Sequence, residues 1–132
     1  MSSAESQNEG EAFSTDLMKV ECREDVAVVT PTGNLGEFVI SRVEEQAEAA
    51  LKRFESSDTC RHIIIDFCNT DYFGSSALGF FVRLWKRVRQ RGGRMALCNL
   101  SEHEIEVLKI TRLNEFWTIT DTLDDALTAV RN

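Results

Sequence analysis

Two adjacent serines, Ser75 and Ser76, follow Gly74 where an apolar run gives way to helical spacing. Ile63-Ile64-Ile65-Asp66-Phe67 has the β-branched, unbroken character of a strand buried on both faces. Beyond the turn, Leu78, Phe81, Val82, Trp85 and Val88 recur at helical intervals, so Phe81 and Trp85 are expected in the core. The spacing therefore puts hydroxyls beside unpaired backbone N–H groups at the positive end of a helix dipole, where a phosphate is well tolerated. The same turn invites a hydrolytic reading, because strand, sharp turn and helix around Gly74-Ser75-Ser76-Ala77 approach the nucleophile elbow Gly-x-Ser-x-Gly. Its fifth position here is Leu78, however, and a serine nucleophile needs a histidine oriented by a third group. His62 is expected at the far end of the strand from the turn, and His103 in the first turn of another helix. The sequence matches neither the phosphate-loop nor the dinucleotide fingerprint. The reading is therefore non-enzymatic, with no cofactor and no metal implied.

Other residue groups are also able to do chemistry. Arg83, Lys86, Arg87, Arg89, Arg91 and Arg94 gather on one predicted helix and its exit, either as a solvated face at the helix C-terminus or as a docking stripe for an acidic partner. Arg83 and Arg87 are expected to be exposed, contributing little to stability. Asp66 ends the central strand, where a carboxylate orients loop backbone. The four cysteines, Cys22, Cys60, Cys68 and Cys98, include no Cys-x-x-Cys pair and read as structural thiols, Cys68 and Cys98 serving as small buried hydrophobes. A formal net charge of −7 argues against general nucleic-acid binding. No apolar run reaches the roughly 20 residues that span a bilayer, and no export signal is evident, so a cytoplasmic protein without direct membrane insertion is expected.

The elements that must position the turn follow from periodicity. Residues 1–14 are rich in Ser, Glu, Gln, Asn and Gly and read as a disordered acidic tail before a domain spanning 15–132. Strands are expected over Leu17–Glu21 and Val26–Thr30, paired antiparallel, then over Ile63–Phe67, Met95–Cys98 and Phe116–Ile119. Helices are expected from Glu37 to about Ser56, from about Ser76 to Arg91 with Gly92-Gly93 as its stop, after a Ser101-x-x-Glu104 capping box, and after Asp121 or Thr122. Strand–helix–strand units with short links imply right-handed crossovers and an α/β fold: one mixed, mostly parallel sheet of about five strands flanked by about four helices. Functional groups in such sheets gather beyond the carboxyl ends of the strands, where the Gly74-Ser75-Ser76 turn lies.

From about Leu17 to Val130 the chain resembles the STAS domain of bacterial anti-sigma factor antagonists. Gly33-Asn34-Leu35-Gly36 stands where that family has Gly-Glu-Leu-Asp, and Gly74-Ser75-Ser76-Ala77-Leu78-Gly79 stands over Asp-Ser-Ser-Gly-Leu-Gly. Gly92-Gly93, Asn99-Leu100-Ser101 and Leu108 through Leu113 extend the match. The resemblance implies a STAS fold and a partner-switching role in transcription regulation, with Ser75 the residue phosphorylated by an anti-sigma factor serine kinase of the histidine-kinase-like ATPase type and restored by a matching phosphatase. It makes Ser76 the adjacent hydroxyl and Leu78 and Gly79 the start of the partner-facing helix; with both loops leaving one sheet edge and the basic stripe following, the expected partner surface is Asn34, Gly36, Gly74, Ser75, Ser76, Ala77, Leu78, Arg83 and Arg87. Gly74 replaces the family's acidic residue, Ala77 a glycine, and Asn34 and Gly36 two acidic residues. These departures leave open a second reading, a STAS scaffold without a phosphorylation cycle or a STAS subunit of a membrane transport complex.

Overall fold

The two apolar runs at residues 63–67 and 95–98 become interior strands, because each side chain along them meets a packed layer whichever way it points. The computed structural model describes residues 12–37, 39–56 and 60–131. Its elements are β1 (Ala12–Ser14), β2 (Met18–Arg23), β3 (Val26–Pro31), α1 (Ile40–Glu55), β4 (His62–Asp66), α2 (Ser75–Gln90), β5 (Met95–Cys98), α3 (Glu102–Thr111), a 3-10 turn at Leu113–Glu115, β6 (Thr118–Thr120) and α4 (Leu123–Arg131). The strands form one sheet in chain order, antiparallel from β1 to β3 and parallel from β3 to β6.

Strand periodicity divides the core in two. Ala27, Ile63, Ile65, Met95 and Leu97 point to one face, against Val43, Ala47 and Leu51 of α1, Ala77, Phe81 and Leu84 of α2 and Leu108 of α3. Their sequence neighbours Val26, Val28, Ile64, Ala96 and Cys98 point to the other, where Ala126 and Val130 of α4 cover them. Three successive crossovers of one hand place α1, α2 and α3 on the same face, and the C-terminal helix is what closes the other. Phe81 anchors the larger layer, with its ring 5.6 Å from Phe67 and 5.4 Å from Phe73 between centroids.

Several expectations shift. Ala12–Ser14, expected within the tail, pair antiparallel with β2 as a sixth strand; the rest of the expected tail, residues 1–11, lies outside the described residues. Helix α1 begins at Ile40 rather than Glu37, which leaves Glu37 in the preceding loop. The last strand lies at Thr118–Thr120 rather than Phe116–Ile119, so Trp117 is buried and Phe116 exposed. Phe116 packs instead on Trp85, which is half-buried rather than central and has the Arg89 guanidinium over its ring, 4.9 Å from the centroid. Cys98 is wholly buried, which pushes its thiol up to about 12, whereas Cys68 is exposed. Cys22 and Cys60, far apart in sequence, meet at 3.4 Å; the Cys60 thiol donates to Cys22 Sγ, which holds Cys60 well above the usual thiol range. A thiol held protonated is a poor nucleophile.

Candidate functional site

The site is built from the two loops that leave the carboxyl ends of the adjacent parallel strands β3 and β4. These strands are in register, Val29 opposite Ile65, so their exits start side by side. The loops then hydrogen-bond to each other. Leu35 N–H donates to the Tyr72 carbonyl at 3.0 Å and Gly74 N–H to the Leu35 carbonyl at 3.0 Å, a parallel bridge between Leu35 and Phe73. Asn34 Oδ1 accepts from the N–H groups of Asp71 (2.8 Å) and Tyr72 (3.3 Å), and the Thr70 hydroxyl donates to the Gly33 carbonyl at 3.1 Å. Leu35 and Phe73, each 2% exposed, bury the underside of this seam. Below it, Asp66 accepts from Cys68 N–H at 3.1 Å and from Asn99 Nδ2 at 2.9 Å, so it orients loop backbone as expected.

Gly74 is the N-cap of α2, extended and with no side chain to cap the helix. Its carbonyl receives the first intrahelical bonds, from Ala77 N–H at 3.1 Å and Leu78 N–H at 3.3 Å. Ser75 and Ser76 are therefore the first helical residues, and both are exposed. Their hydroxyls turn to Glu37: Ser76 Oγ donates to Oε1, and Ser75 Oγ makes a longer contact of 3.5 Å with Oε2. The Ser76 hydroxyl in particular holds the exposed Glu37 carboxyl below the usual carboxylate range, against an opposing desolvation effect.

Apart from Arg83 and Arg87, the expected surface residues fall into three groups. Asn34, Gly36, Ser75 and Ser76 share one exposed or half-exposed ledge with half-buried Leu78 behind it. Ala77 is 0% exposed, so its side chain cannot be a partner contact; the methyl packs into the core layer. Gly74 is buried and contributes backbone alone. Sequence reasoning missed Glu37, whose signal was an acidic residue one step past the Gly33–Gly36 loop. It also missed that Asn34 spends its side-chain oxygen on the neighbouring loop. His62 accepts from Arg94 N–H at 3.0 Å at the amino end of β4, with burial lowering its pKa, and His103 stacks on Tyr72 with centroids 5.7 Å apart. Neither histidine is the partner of the Ser75 hydroxyl, which is Glu37.

A model of the STAS domain family matches residues 18–126. The chain belongs to the STAS domain family. Among its relatives, the anti-sigma F factor antagonist of Paenibacillus polymyxa is 28% identical over 111 residues, covering 84% of this chain and 92% of that protein. Among solved structures, an anti-sigma-factor antagonist (STAS) domain protein of Planctomyces limnophilus superposes with a TM-score of 0.77 at 29% identity, covering 87% of this chain and 98% of that one. An anti-sigma factor antagonist of Mycobacterium paratuberculosis gives a TM-score of 0.74 at 22% identity, covering 91% and 100%. The mixed, mostly parallel sheet with the four helices of the described residues is the STAS fold.

On this STAS domain the basic stripe of α2 faces acidic residues of α1. Arg83 pairs with Glu44 and stays exposed. Arg87 is half-buried: its Nε and Nη2 donate to the two Glu55 oxygens at 3.0 and 2.7 Å, and Nη1 donates to Glu48 at 2.7 Å. The expectation that both arginines are exposed charges of little structural weight is thus corrected for Arg87. Two-pronged, charge-assisted bonds on a partly desolvated guanidinium contribute more than a surface pair. Arg87→Glu is expected to destabilise the fold by about 1–2 kcal/mol, and Arg83→Glu by no more than about 0.5 kcal/mol. Urea titration of the two single variants checks this, and equal losses would contradict it.

Proposed function

We propose that this STAS protein is an anti-sigma factor antagonist-like interaction switch, non-enzymatic itself, whose partner binding is controlled by phosphorylation of Ser75. The observation that carries the reading is the exposed Ser75 hydroxyl on the first turn of α2, on a ledge shared with the loop around Asn34 and Gly36. The partners on this reading are a serine kinase of the histidine-kinase-like ATPase type, to which the unmodified form also binds, and a matching phosphatase. The names of the relatives, anti-sigma factor antagonists, support the same direction.

The chemistry asked of the chain is small. Ser75 Oγ forms a bond to the γ-phosphorus of ATP, the bond to the β–γ bridging oxygen breaks, ADP leaves, and the hydroxyl proton passes to a base of the kinase. A kinase reaches a hydroxyl on a helix start without unfolding the domain. The product carries nearly two extra negative charges at the positive end of the α2 dipole, so the fold tolerates it. A partner surface packed on the ledge does not, since desolvating that charge without a cation costs several times the ~1.4 kcal/mol that equals tenfold in affinity.

Ser75→Asp should therefore weaken capture of the kinase at least tenfold. Ser75→Ala should bind constitutively, and Ser76→Ala should still be phosphorylated. Intact-mass analysis with the kinase and ATP, joined to binding titrations of the three variants, is the test. The absence of an acidic side chain at Gly74 favours the other reading, a STAS scaffold or transport-complex subunit without a phosphorylation cycle. No phosphate at all, with Ser75→Asp binding like the unaltered chain, would decide for that one, and phosphate on Ser76 alone would overturn Ser75 as the switch.

A further inference from the structure

The positive end of α2 already holds a negative group, and it comes from another loop. The first turn of α2 contains no acidic residue, and its N-cap Gly74 has no side chain to offer. A Cβ at Gly74 would stand 2.5 Å from Glu37 Oε2 and 3.4 Å from Glu37 Cδ, so the Glu37 carboxylate fills the volume that a larger residue 74 would take. From there it accepts from both serine hydroxyls. Glu37 reaches this position because α1 starts three residues later than the local pattern suggests, at Ile40, which leaves Glu37 in the loop.

We propose that Glu37 is a resident anion at the α2 N-terminus that a phosphate on Ser75 must displace, which makes Glu37 the residue through which modification of one loop moves the other. This rests on Ser75 being the modified residue. Two anions cannot share one set of helix N–H groups without repulsion, and a phosphate bound covalently at residue 75 stays while a side chain can swing away. Glu37 directly follows Gly36 and the seam in which Asn34 and Leu35 hydrogen-bond to residues 71–74. Its departure therefore alters the ledge on both sides of the seam. The tie between Ser76 and Glu37 also keeps the second hydroxyl committed while the 3.5 Å contact leaves Ser75 the freer of the two.

The test needs no partner protein. Full-length chain carrying phosphoserine at position 75, installed during translation, is compared with unmodified chain in the unaltered background and in Glu37→Gln, by thermal melting. Phosphoserine should be better tolerated in Glu37→Gln by several degrees. A Glu37 of merely structural role would shift both forms equally, and equal shifts overturn the proposal. The second cycle combines Gly74→Asp with Glu37→Ala. Gly74→Asp should lower the melting temperature in the unaltered background, and Glu37→Ala should recover most of that loss because it vacates the shared volume. Additive effects here overturn the proposal too. Either failure would leave the kinase titrations of Ser75 variants untouched, and a failure of those titrations would leave these couplings standing.

Discussion

Glu104→Gln is expected to stabilise the protein near pH 8.5 by about 3 kcal/mol more than the same change does near pH 4. Glu104 is the third residue of a complete capping box on α3. Its Oε1 accepts from Ser101 N–H at 2.9 Å while Ser101 Oγ accepts from Glu104 N–H at 3.1 Å. The side chain is 0% exposed and Oε2 is buried without a hydrogen-bond partner among the described residues. Burial pushes the carboxyl from 4.5 up to about 7, the charge of Asp71 adds to this, and the bonds from Ser101 oppose it. The folded state therefore holds the proton more tightly than the unfolded chain. Its contribution is fully present below about pH 4.5 and is lost as pH rises through about 7. Glutamine keeps the acceptor for Ser101 and cannot ionise, so the difference between the two proteins should open across that window. Chemical denaturation of both at several pH values measures it. A gap that stays constant from pH 4 to pH 8.5 would show that Glu104 is not the titrating group. Ser101 Oγ also donates to the Asp71 carbonyl at 2.9 Å, so this cap is tied to the loop that carries the serine turn.

What local pattern reveals here is what local physics determines. Ile63–Ile65 and Met95–Cys98 announce interior strands because a run apolar at every position can be satisfied only by packing on both faces. Ser101 and Glu104 announce a helix start because both partners of the box lie within one turn. The serine turn was legible for the same reason, as a strand end, a glycine and a helix in sequence. Interactions between residues distant in sequence were not legible. Glu37 looks like a first helical residue until Ser76, 39 positions away, is seen to hold it outside the helix. Cys22 and Cys60 are 38 positions apart and look isolated. Arg87 looks like one charge of a solvated stripe, and only the packing of α1 against α2 brings Glu48 and Glu55 to it. Ala12–Ser14 carries no strand signature of its own, because so short an edge strand is defined by the ladder it joins. That Trp117 is buried and Phe116 exposed was not legible either, because a three-residue strand holds too little alternation to set which neighbour points inward.

The paired glycines that end α2 should separate sharply under one substitution. Gly92 has φ +78° with open space around a would-be Cβ, so Gly92→Ala costs the strain of a left-handed residue, about 1 kcal/mol. Gly93 has no such φ, yet a Cβ there would land inside the Arg61 carbonyl and 3.0 Å from Val88 Cγ1. Nothing flexible gives way, because the obstacle is backbone. Gly93→Ala must push the entry of β5 away from the segment leading into β4. That entry is held by Ile63 N–H on the Arg94 carbonyl at 3.1 Å, Arg94 N–H on His62 Nδ1 at 3.0 Å and Gly93 N–H on the Val88 carbonyl at 2.9 Å. Overpacking against an immovable neighbour costs about 3 kcal/mol or more, which for a domain of this size lowers the melting temperature by on the order of 10 °C. Gly92→Ala should lower it by only about a third as much on the same scale. Thermal melts of the two single variants decide the matter. Similar losses in both would mean that the glycine pair acts only as a helix stop, and that the close approach of β5 to Arg61 does not set the register of the sheet beneath the site.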